Sequence, residues 1–142
     1  MSREVFRGVI PDGLLYDTAH DMWVRRDGDI VTMGATSFGL HLAGEVIAFT
    51  PKPRGAEVAR GRGLGTVECA KTVLAVHAPV SIAELEGNEA AEERPALINR
   101  DPYTNWMVRG RPTAWLSEVA GLVDAATYRR HVLAMEPEAV IA

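Results

Sequence analysis

Cysteine is all but missing from this sequence: Cys69 is the only one in 142 residues. An internal disulfide and a cysteine-rich zinc site are therefore excluded, which agrees with a reducing compartment. Long apolar runs are missing as well. None approaches the ~18 residues that a membrane-crossing helix requires, so no membrane partner is expected. Behind the mixed charges of residues 1–7 there is no apolar segment, so neither a secretory signal nor a transit peptide is visible and the expected address is the cytoplasm. Basic residues show no excess: 15 Lys and Arg against 19 Asp and Glu leave a net charge of −4. Phosphate contacts come from clustered cations on a basic surface, so nucleic acid is not an expected partner. Arg25-Arg26 and Arg60 with Arg62 read as solvated loop and edge residues. No fixed-period repeat or low-complexity tract stands out.

What is present is ordinary for a soluble globular chain, with 47% apolar and 24% charged residues. A chain of this size hides ~68–70% of its unfolded surface, enough for one core without staples, and residues 1–142 are expected to form a single domain. Residues 1–13 read as a loose N-terminal strand closed by Pro11-Asp12-Gly13. Residues 22–26 and 29–33 flank Asp27-Gly28, a hairpin signal. Thr36 or Ser37 can cap a short helix through Leu42 that Gly44 ends. A strand over 45–50 is closed by Pro51 and Pro53, neither of which can donate to a central ladder.

Residues 54–65 are punctuated by Gly55, Gly61, Gly63 and Gly65, a spacing wrong for a dinucleotide fingerprint, so they read as a connection. A short strand and turn over 83–88, a polar helix over 89–94 stopped at Pro95, a turn over 101–105 and a last strand over 106–110 follow. Ser117 can cap a helical turn, and 124–135 carries Tyr128, His131 and Val132 at helical spacing. Many short strands with glycine and proline turns predict a mainly β sandwich or barrel with helices at the ends.

Around Lys71 the pattern becomes specific. Val67 before it and Val73, Leu74 and Val76 after it predict two strands that meet at the lysine. The connection 69–72 has no Gly, Pro, Asn or Asp, so residue type admits a type I turn without demanding one. A lysine in a turn is ordinarily a solvated charge. Here Glu68-Cys69-Ala70-Lys71-Thr72, followed by Ala78-Pro79-Val80-Ser81, resembles the lipoyl-lysine hairpin of the glycine cleavage system H protein family, Glu-Ser-x-Lys-Ala or -Thr and then Ala-Pro-x-Ser-Gly. The segment from Tyr16 through His20 to Trp23-Val24 is similar to that family's opening Tyr-x-x-x-His-x-Trp-Val, with one residue inserted. Gly34, Thr36, Gly39, Leu42, Gly44 and Glu45 resemble its next block; Asn88-Glu89, Pro95, Asn99, Asp101-Pro102-Tyr103 and Trp106 resemble its later half. Three positions depart from the pattern: Cys69 for serine, Ile82 for the glycine after Ser81, and Asn105 for the glycine before the tryptophan.

The resemblance implies a barrel-sandwich hybrid of the lipoyl and biotinyl carrier type, with short helices and a C-terminal helix over about 124–135. It implies lipoate joined covalently to Lys71 and Glu68 as part of what a lipoate ligase or transferase recognises; the alternative for Glu68 is a half-exposed strand acid. It implies a non-catalytic carrier of an aminomethyl group, with a pyridoxal-phosphate decarboxylase, a folate-dependent aminomethyltransferase and dihydrolipoyl dehydrogenase as partners. Lipoate-binding relatives of the same type serve heterodisulfide-reductase-like complexes of sulfur oxidation, so carriage of sulfur is a second reading and an unmodified binding module a third. Cys69 is either a small buried hydrophobe or, two residues from the arm, a redox neighbour of its dithiolane. His20, His41 and His77 with Asp21 lack the close spacing of a metal site, and Cys69 with His77 lies on adjoining strands, so neither metal binding nor hydrolysis is expected. Trp23, Trp106 and Trp115 read as packing aromatics.

Overall fold

The structure, a computed structural model, describes residues 4–70 and 72–142. Alternation of side chains along short β-branched runs builds two layers. One layer is a five-stranded antiparallel sheet made by Leu15–Asp17 (β2), Met22–Asp27 (β3), Ile30–Ala35 (β4), Val108–Pro112 (β9) and Ile82–Gly87 (β8), in that order across the sheet. The other is a three-stranded sheet of Val46–Pro51 (β5), Gly63–Cys69 (β6) and Thr72–His77 (β7). Met22, Val24, Val31 and Met33 from the first layer meet Phe49, Leu64, Val67 and Val76 from the second in one core. The fold is mainly β and open, not a closed barrel.

The opposite face of β2 and β3 carries Tyr16 and Trp23, which are paired across the strands. That face is covered by a helix at Ala125–Met135 (α5), by Phe38 of the helix Ser37–Ala43 (α1), and by Phe6 and Ile10. Arg7–Gly8 (β1) pairs in parallel with Val140–Ile141 (β10), tying the segment before the sheet to the one after α5. Among the described residues three short α-helices, Glu89–Glu93 (α2), Ala96–Arg100 (α3) and Trp115–Glu118 (α4), and a 3-10 turn at Val119–Gly121 fill the connections. Among the described residues no helix is long and apolar enough to cross a membrane.

Most expected elements are present and several are corrected. Of the two candidates Thr36 caps α1, its hydroxyl accepting from the Gly39 amide at 3.0 Å. The first hairpin turns on Gly28-Asp29, because Asp27 still pairs with Ile30; Gly28 alone takes a positive φ of 61°, as the first central residue of a II′-type turn requires. Ser117 is not a cap. It lies inside α4, its hydroxyl donating back to the Ala114 carbonyl. A helix, α3, follows Pro95, which as a residue of fixed φ starts that helix as readily as it stops α2. β9 is not the last strand, since β10 follows α5; two residues pairing in parallel leave too little periodicity for sequence to reveal.

Candidate functional site

β6 and β7 form a hairpin whose register runs from Gly63↔His77 to Cys69↔Thr72. Two residues, Ala70 and Lys71, join the paired ends. Lys71, the candidate attachment residue, lies outside the described residues. Its neighbours are informative. Directly opposed residues share a face, so Ala48, Glu68 and Val73 form one outward row across β5, β6 and β7. Glu68 is exposed and Val73 is 62% exposed, while Ala70 and Thr72 are small and exposed.

Cys69 faces the other way and is 3% exposed in the main core. Burial pushes its thiol up from the ordinary value. A thiol reacts as its thiolate, which burial in apolar surroundings disfavours. We expect Cys69 in the folded protein to react with a disulfide reagent on the order of 100-fold more slowly than in the unfolded chain; equal rates in a stopped-flow thiol assay would contradict its burial. Cys69 and His77 stand at opposite ends of β7 in register, five residues and about 16 Å apart along an extended strand, so they form no nucleophile and base.

Beside the hairpin, on its core-facing side, a cleft of about 90 Å³ opens between β7, α1 and the loop 18–21. Its walls are mostly apolar, with Leu40, Val67, Leu74 and Met107 among them. The polar residues lining it are His20, Asp21 and His77. His20 and His77 stack with ring centroids 4.3 Å apart. His20 Nδ1 meets Asp17 Oδ2 at 3.2 Å, and the Gly61 carbonyl accepts from His77 Nδ1 at 2.9 Å. His41 lies elsewhere, beside Phe6 and Glu136, so the three histidines do not converge, and among the described residues no cluster could hold a metal ion.

Asp21 is the acidic residue of this lining, and its backbone is unusual for a residue with a side chain, at φ 55°. Three contacts hold it there. Its carbonyl accepts from the Thr36 amide at 2.9 Å, and its carboxylate accepts from the Tyr128 hydroxyl at 2.8 Å. Gly39 comes so close that a Cβ there would sit 3.0 Å from both the Asp21 carbonyl oxygen and Cβ. Burial pushes the Asp21 carboxyl up from its ordinary value, while the hydrogen bond from Tyr128 pulls it back down. In the sequence Asp21 stands out only in a metal-ligand set that its spacing rules against, and Tyr128 only as one face of a helix. Their meeting across 107 residues leaves no local signal.

The family model for the glycine cleavage H-protein matches residues 14–134. The chain belongs to the glycine cleavage H-protein family. A glycine cleavage system H protein of Marinobacter nauticus is 38% identical over 129 residues, covering 89% of this chain and 98% of that one. The mitochondrial H protein of Oryza sativa subsp. indica is 36% identical over 121 residues, with 84% of this chain and 73% of that protein covered. A crystal structure of a glycine cleavage system H protein from Mycobacterium marinum superposes with a TM-score of 0.74 at 32% identity, covering 85% of this chain and 97% of that chain. The family is one of non-catalytic carrier components, and the open, mainly β fold matches that neighbour. Within the family's matched span lie the hairpin, the cleft and nearly all of α5.

Proposed function

We propose that this chain is a lipoyl carrier in which Lys71 holds lipoate through an amide, and that it serves glycine cleavage as the aminomethyl carrier. The observation that carries the reading is the hairpin. Its strands stay paired up to Cys69 and Thr72, giving the joining residues a stiff base, and the small exposed Ala70 and Thr72 leave room for a modifying enzyme. Lys52 is the only other lysine in the sequence, and it sits between Pro51 and Pro53 beside the open end of this hairpin, its amide donating to the Leu64 carbonyl, away from the tip. Glu68, exposed on the outward row, is the proposed contact for the lipoate ligase or transferase. For Cys69, burial supports the packing role over exchange with the arm. The whole chain acts as one carrier domain, its two ends joined through β1 and β10.

When bound, the lipoyl group supplies a disulfide and dithiol couple able to take up and give back cargo. The residues of this chain do the rest. β6 and β7 present the attachment point, and the adjoining cleft offers an apolar wall with one carboxylate for an ammonium group. The proposed partners are the pyridoxal-phosphate decarboxylase, the folate-dependent aminomethyltransferase and the dihydrolipoyl dehydrogenase of glycine cleavage. The apolar wall of Leu74, Ala75 and Val76 favours a second reading, carriage of an uncharged sulfur intermediate for a heterodisulfide-reductase-like complex. Two measurements test the proposal. Intact mass of protein from its native cells should show one lipoyl increment, and a bare chain there would leave an unmodified binding module. Carbon exchange between bicarbonate and glycine, driven by the decarboxylase, should then require this protein; a lipoylated protein inactive in exchange would select the sulfur reading.

A further inference from the structure

Tyr128 belongs to α5, on the far side of the five-stranded sheet from β7, yet its hydroxyl reaches Asp21, a residue that lines the cleft. The ring is fully buried and lies flat on Tyr16, with centroids 4.6 Å apart and planes 5° from parallel. That stacking fixes where the hydroxyl points. Its hydrogen goes to Asp21 Oδ1, since an ionised carboxylate only accepts, so the Thr36 hydroxyl, 2.8 Å away, donates to the tyrosine oxygen. Thr36 in turn accepts from the Gly39 amide. The result is a directed chain running from the first turn of α1 through Thr36 and Tyr128 to the Asp21 carboxylate. Every member has its partner, as a buried polar network requires.

We propose that Tyr128 is a positioning residue of the cleft: its hydroxyl holds the Asp21 carboxylate in place to receive a cationic amine carried on the arm. The proposal rests on the carrier reading above. A carboxylate on an apolar wall tends to take up a proton and lose its charge. A donor aimed at it from a rigid ring opposes that loss. Other groups act on Asp21 as well. Asp17 in β2 works against ionisation, while His20 of the same loop and His131 of α5 favour it. His77 of β7 reaches it only through its stack on His20. None of these donates a hydrogen bond to the carboxylate, so the hydroxyl is the contact that fixes its orientation. The C-terminal helix thereby contributes to the cleft from the other side of the sheet.

The test follows the Asp21 carboxyl carbon by NMR through a pH titration of the unlipoylated protein. Tyr128→Phe should weaken the acid roughly tenfold, moving the midpoint upward, because a hydrogen bond to the charged form is removed. An unmoved midpoint overturns the proposal. In the lipoylated protein carrying an aminomethyl group, escape of the amine should be roughly tenfold faster in Tyr128→Phe and in Asp21→Asn, and the double variant should be no faster than either. Escape at the wild-type rate in Asp21→Asn also overturns it. Should Tyr128→Phe fail to fold, Asp21→Asn supplies the decisive rate, since asparagine keeps the shape and still accepts from the tyrosine. A bare Lys71 in protein from native cells would sink the carrier reading by itself; the titration judges the hold of Tyr128 on Asp21 in either event.

Discussion

Lys71→Arg is expected to abolish the lipoyl increment and all carrier activity while leaving the protein folded. The change keeps the positive charge and most of the length of the side chain, so the net charge of the chain is unaltered. What it removes is a nitrogen that can lose its proton. Lysine has an ordinary pKa near 10.4 and can present a neutral amine inside a ligase, whereas the guanidinium is protonated under all relevant conditions. The amide cannot form. Intact mass after co-expression with a lipoate ligase reads the outcome directly, and Lys52→Arg is the matched control because Lys52 is the sequence's other lysine. Retention of the increment in Lys71→Arg together with its loss in Lys52→Arg would move the attachment site and end the present reading.

Gly65→Ala is expected to be the most damaging small substitution in the site's scaffold. Gly65 is buried in β6, opposite Pro51 of β5 and Val76 of β7. A methyl group there would run into the Thr50 carbonyl oxygen and stand 2.7 Å from Pro51 Cα. Both obstacles are backbone, so relief requires β5 to move off β6. A forced backbone shift of this kind costs about 3 kcal/mol, which lowers the thermal midpoint of a domain this size by about 10 °C. The loss should reach function, because the β6–β7 hairpin carries the residues on both sides of Lys71. Lipoylation of Gly65→Ala should therefore be slower than wild type even below its lowered midpoint. An unchanged midpoint measured by calorimetry would show that the strands have room to spare.

The two substitutions probe different kinds of information. Lys71 was legible as a candidate because the proposed attachment is specified locally: a ligase would read a few consecutive residues, and Glu68 through Thr72 and the run from Ala78 to Ser81 follow the family's order. The strands beside it were legible for a similar reason, since burial on one face imposes alternation along a few residues. Gly65 was visible only as one glycine in a punctuated stretch. Its need for hydrogen in place of a side chain comes from β5, whose Pro51 Cα would stand 2.7 Å from an added methyl, a clash between segments 14 residues apart in sequence. The first hairpin shows the same limit at short range. Asp27-Gly28 signalled a turn, but the pairing of Asp27 with Ile30 set the turn one residue further on.

Sequence by itself determined the family, the candidate amine and the mainly β plan, because each is written in consecutive residues whose chemistry or spacing acts locally. Tertiary structure decided which way Cys69 faces, where the cleft lies and that Asp21 and Tyr128 meet. Those depend on which surfaces meet. Tyr16, Thr36 and Tyr128 come from three elements, and only the stacking of α5 on the five-stranded sheet carries a helix hydroxyl to a loop carboxylate beside the hairpin.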